Sequence, residues 1–168
     1  MLPGIEKSIL LLYNTANNLV DRGFPGMNKA EFYEKYCELI TYYQCIEADL
    51  KGICASLLAD EERGWFERLD DYESDPLGKM IQEIQILQEK KNCALFSSED
   101  FEALNAMRKT RNYWVHQCFV GYTHVTFHKD IVRPPYGGKL NADLNEAIDW
   151  DQKLTEIGRP LIKELPTM

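Results

Sequence analysis

The stretch SSEDFEALNAMRKTRNYWVHQCFVG, residues 97–121, decides how this chain is read. Ser97 or Ser98 suits a helix N-cap, and Gly121 suits the stop of a helix that runs from Glu99 to about Val120. Projected at about 100° per residue, Leu104, Met107, Trp114, Val115 and Cys118 form one apolar face. A stripe of this kind needs helical neighbours to bury it. Arg111 falls in the middle of the same face. An unpaired guanidinium among apolar side chains is costly, so the position demands an acidic partner or a water-lined cleft.

Working upstream, Asn28 is placed to cap a long helix to about Asp60, with Phe32, Leu39, Tyr43, Ile46, Leu50, Ile53 and Leu57 as its stripe. That helix carries a matching misfit. Glu47 lies in the stripe made by Tyr36, Ile40, Tyr43, Leu50 and Cys54. An Arg111–Glu47 pair between facing helices would resolve both. Trp65, Phe66 and Leu69 continue the helical pattern. Ser74-Asp75-Pro76 then starts a third helix carrying Leu77, Met80, Ile81, Ile84 and Leu87. Ahead of all these, Ile5, Ile9, Leu12, Tyr13, Ala16, Leu19 and Val20 recur at helical spacing.

Downstream, Tyr122 to His128 alternates and is β-branched, and Pro134-Pro135-Tyr136-Gly137-Gly138 follows. Residues 122–138 read as a loop or short hairpin. A last helix is expected over about 141–165, from Asn141 or Asp143 through Trp150, Leu154 and Ile157, bent or broken at Gly158-Arg159-Pro160. The expected fold is all-α: an up-and-down helical bundle with additional terminal helices and a short irregular or β-like insertion near 122–138. One domain spans 1–168, with its core at about 28–121.

Composition narrows the function classes. The 168 residues carry a net charge of −8, which argues against a general nucleic-acid coat. The charge is uneven, however. No Asp or Glu occurs from Ala103 to Lys129, a window that holds Arg108, Lys109, Arg111, Lys129 and all three histidines. Five scattered cysteines fit reduced thiols better than a disulfide framework. The opening residues lack the pattern of a secretory leader, and no apolar run is long enough to span a bilayer. A cytoplasmic protein with no membrane partner is expected.

The residues that point to chemistry sit late on the 97–121 helix. His116 follows Asn112 by one turn, so the two share a face, with Arg108 and Asn105 extending the polar strip. A histidine within reach of arginines and an amide suits phosphate chemistry. A metal site from His116, His124 and His128 is a weaker alternative, since the i,i+4 spacing of the last two suits a metal only on a helix. A thiol enzyme built on Cys118 is weaker still, because Cys118 projects onto the apolar face. No metal and no cofactor are expected.

Arg111-Asn112-Tyr113-Trp114-Val115-His116 resembles the signature of the HEPN superfamily: Arg, a polar residue (often Asn), a short spacer, then His. Residues Leu77 to Ile81 and Gln44-x-x-Glu47-x-x-x-Lys51 also have the look of some bacterial members, and the likeness covers about 28–121. The resemblance implies a helical bundle, usually dimeric, with the motifs of two protomers facing one cleft. Many members are metal-independent endoribonucleases of toxin–antitoxin and defence systems. It implies Arg111 and His116 as the catalytic pair and Asn112 as their polar companion; Arg108, Lys109 and Asn105 beside them on the helix are the candidate substrate-binding residues, and Glu47 is the candidate for orienting the site. RNA or a nucleotide is the implied ligand, and an antitoxin or nucleotidyltransferase a candidate partner. Where some toxin members carry Tyr two residues after the His, this chain has Cys118. The alternative is a non-catalytic HEPN-like module that binds a nucleotide, RNA or a protein.

Overall fold

The computed structural model describes residues 27–60, 62–119, 127–128, 131–132 and 134–163. Its elements are α1 (Lys29–Leu58), α2 (Trp65–Asp70), α3 (Leu77–Lys91), α4 (Ser98–His116), β1 (Phe127–His128), β2 (Ile131–Val132) and α5 (Pro134–Lys163). The fold is an all-α bundle. The helical pattern read over residues 5–20 lies outside the described residues, and α4 ends at His116, followed by a turn over 117–119, short of the stop read at Gly121.

Local chemistry sets most helix ends. The Asn28 side chain accepts from the Glu31 amide at 2.9 Å and starts α1. Asn92, in the left-handed region at φ 51°, closes α3. A reciprocal capping box starts α4: Ser97 accepts from the Asp100 amide, and Asp100 accepts from the Ser97 amide. Gln88 pins the intervening turn by bonding both the amide and the carbonyl of Phe96.

Two expectations change at α5. The helix begins at Pro134 rather than near Asn141, and it runs through Gly137 and Gly138. Pro134 takes the first helical position, where its missing N–H costs nothing. Gly137 is buried, and a Cβ there would stand 3.4 Å from the Cβ of Met27, so the glycine lets the two segments approach closely. The helix also continues through Gly158-Arg159-Pro160 to Lys163. Pro160 leaves the Glu156 carbonyl without its helical donor, but both residues face water, which can supply one. The insertion read near 122–138 is correspondingly shorter. Within it, β1 and β2 form an antiparallel pair, with Phe127 opposite Val132. The Val132 amide donates to the Met27 carbonyl at 2.8 Å and ties this pair to the start of α1.

Helix α1 is the spine. Gly137 against Met27, Lys35 bonded to Asn141, and Gly158 beside Ile53 show that α5 runs along α1 in the same sense. Asp100 pairs with Lys153, and Trp114 bonds Asp143, so α4 runs against both. One continuous core joins Leu39, Ile46 and Leu50 of α1 to Met80 and Ile84 of α3, Leu104 and Met107 of α4, and Leu140 and Leu154 of α5. No helix among the described residues is long and apolar enough to cross a membrane.

Trp114 holds three of these helices. It is 1% exposed, packs against Phe32 and Tyr36 of α1, and donates its indole N–H to Asp143 of α5 at 2.6 Å. Hydrogen bonds to a charged acceptor contribute about 1.5–3 kcal/mol, and an orphaned buried donor costs more than an exposed one. Asp143→Ala is therefore expected to destabilise the fold by about 2 kcal/mol, read as a fall in urea midpoint with the slope unchanged.

Candidate functional site

The polar strip of α4 divides between two neighbours. Arg111 faces α1, where its guanidinium lies 3.7 Å from the Glu47 carboxylate. The same carboxylate meets Lys51 at 3.3 Å, and Lys51 donates onward to the Glu73 carbonyl at 2.9 Å. The expected Arg111–Glu47 pair is therefore present, but it is not buried: the two side chains are 30% and 22% exposed. Arg111 occupies the edge of the apolar face rather than its middle. Val115, one turn further on, is 38% exposed for the same reason.

Asn112 and His116 are both exposed, one turn apart on the outer face of α4. Asn112 Oδ1 accepts a long bond from Arg111 at 3.4 Å. No hydrogen bond or ion pair joins His116 to Arg111 among the described residues. The structure thus brings Glu47, Arg111 and Asn112 together and leaves His116 beside them, open to solvent.

Asn105, Arg108 and Lys109 face the α3 side. Arg108 lies over Gly78, so close that a Cβ there would fall 2.7 Å from its Nη1. Its Nε is buried without a hydrogen-bond partner. Asn105 turns back to the Phe101 carbonyl at 2.9 Å. With Lys109 it lines a shallow cavity of about 530 Å³ that also touches Gln85 and Glu102.

The Cys118 thiol is buried and donates to the Trp114 carbonyl at 2.8 Å. Burial pushes it up to about 11, so it stays protonated at neutral pH. His128 lies in β1 rather than on a helix, and His124 falls outside the described residues. Among the described residues no group of three or more His, Cys, Asp or Glu is placed to hold a metal ion.

A larger cavity of about 810 Å³ opens where the second half of α1 meets α2 and the end of α5. Its wall includes Ile53, Trp65, Leu69 and Leu154, with Asp49 and Arg159 among the charged residues. Sequence reasoning missed it. The available signal was Asp49, an acid between Ile46, Leu50 and Ile53 at the edge of the α1 stripe. Burial, and then Asp151 on α5, push the Asp49 carboxyl up from 3.8 to about 6.

Comparison with family models, curated proteins and solved structures finds no match to this chain.

Two outcomes are expected. Glu47→Ala removes the shared acid and leaves Arg111 and Lys51 facing each other. For a partly exposed pair the loss should be about 1 kcal/mol, or roughly 2–4 °C in melting temperature. Asp49→Asn has the opposite sign. A raised carboxyl binds its proton more tightly folded than unfolded, so its contribution is present at low pH and lost as pH rises through about 6. The variant should match the parent near pH 4 and exceed it above pH 7, by an amount on the order of 1 kcal/mol after discounting for partial exposure. Thermal melts at the two pH values check both.

Proposed function

We propose that the outer strip of α4 is a phosphate-directed RNA site, and that the protein is a metal-independent endoribonuclease of the HEPN kind completed by a second copy of itself. The observation that carries this reading is Arg111 held by Glu47 at the edge of α4, with Asn112 and His116 exposed beside it. Arg111 and Lys51 share the single acid Glu47, which supports attraction of a phosphate in an otherwise acidic chain.

The chemistry needs no external nucleophile. The RNA 2′-OH attacks the adjacent phosphorus, an O2′–P bond forms and the P–O5′ bond breaks. An imidazole takes or returns the proton near neutral pH, and a guanidinium stabilises charge on the pentacoordinate phosphorus. The products are a 2′,3′-cyclic phosphate and a 5′-OH. Both a base and an acid are wanted, and each strip offers one histidine. A symmetric dimer supplies the second. The exposed Val115, between Asn112 and His116 in sequence, gives such a contact an apolar element.

A second reading draws on the same residues. Arg111 already has a carboxylate partner, which favours a site that binds a nucleotide, RNA or a protein of a toxin–antitoxin or defence system without cutting.

Incubating total RNA and tRNA with the purified protein in EDTA, beside Arg111→Ala and His116→Ala, separates the two. The parent is expected to leave cyclic or 3′-phosphate ends, and each variant to lose at least about 100-fold. A folded dimer that leaves RNA intact would sink the nuclease and leave the binding module.

A further inference from the structure

We propose that the groove between α1, α2 and α5 is a binding site for a small organic cation, an amine carried on an aromatic or aliphatic body. Its volume of about 810 Å³ is in the range of small-molecule sites, and none of its lining residues lies on α4.

The apolar part is built and oriented. Trp65 is fixed by its indole N–H, which donates to the Gly52 carbonyl at 3.1 Å and the Ser56 hydroxyl at 3.0 Å. Ile53, Leu69 and Leu154 complete an apolar wall. Gly52 and Gly158 line the space too, and their missing side chains help keep it open.

Charge selects the ligand. Asp49 is half-buried and has no cationic partner among the described residues; the charge that bears on it is a second carboxylate, Asp151. Asp70 and Glu73 add acids at the rim. Lys51 lines the groove but is committed to Glu47 and to the Glu73 carbonyl. Arg159 is the one lining cation with no such commitment among the described residues, against three acids. An ammonium would donate a charge-assisted hydrogen bond to the Asp49 carboxylate and relieve the repulsion from Asp151, while its apolar body covers the wall beside Trp65. An anionic ligand would meet the acids instead.

The test is a titration of the ¹⁵N-labelled full chain with 2-phenylethylamine and, separately, with 3-phenylpropionate, which has a similar body and the opposite charge. The amine is expected to give saturable shifts at the Trp65 indole and the Gly52 and Gly158 amides, with the carboxylate at least about tenfold weaker. Asp49→Asn should weaken the amine by about tenfold without unfolding the protein. Equal responses to both probes, shifts elsewhere only, or an Asp49→Asn response equal to the parent's would overturn the proposal. Should the variant fail to fold, the two probes on the parent chain decide. RNA cleavage by Asp49→Asn is expected to equal the parent's, so this result and that of the α4 strip are read separately.

Discussion

The rotation of α4 about its own axis is set by Trp114, and the rest of the candidate site depends on that setting. The indole is pinned between Phe32 and Tyr36 on α1 and Asp143 on α5. The backbone of the same residue is held as well, since its carbonyl accepts from the Tyr36 hydroxyl at 3.1 Å and the Cys118 thiol at 2.8 Å. With Trp114 pointing inward, residues two positions away on either side are turned by about 200°. Those residues are Asn112 and His116, and both face solvent. Arg111 and Val115 are turned by about 60° and 100°, which places them at the boundary between core and water. One aromatic anchor thereby decides which side chains a ligand can reach.

Electrostatics at that boundary follow from a single carboxylate. Glu47 sits between Arg111 and Lys51 and ties α4 to α1, while Lys51 carries the connection to the segment before α3. The pair is open enough for water to screen it, so its contribution to stability is modest. Its larger effect is geometric: a long, flexible side chain is held at one place on the surface. On the other side of the strip, Arg108 lies over Gly78, where a Cβ would fall 2.7 Å from its Nη1 and force the guanidinium to shift.

The groove at the far half of α1 is governed by different physics. There the bundle keeps a carboxyl, Asp49, partly out of water and beside another acid. Such a group destabilises the empty fold at neutral pH. It is the kind of strain that a cationic ligand removes, and it stands in a cavity with a fixed aromatic wall.

The helices themselves were legible because their signals are local. The Asn28 cap, the start of α4 at Ser97 and the stripes through Leu39–Leu50 and Leu104–Met107 depend on neighbours within a turn or two. The Arg111–Glu47 pair was legible too, because two charges each misplaced in an apolar pattern call for one another. Other features were decided only by packing. Gly137 reads as a loop until Met27 is seen against it, so the start of α5 was placed too late. Val115 belongs to the apolar stripe by period, and its exposure depends on where neighbouring helices stop covering α4. The groove joins Asp49, Trp65 and Gly158 from three separate helices. Periodicity tells which face of a helix turns inward, whereas a cavity is the space left where inward faces fail to meet, and that exists only once the helices are assembled.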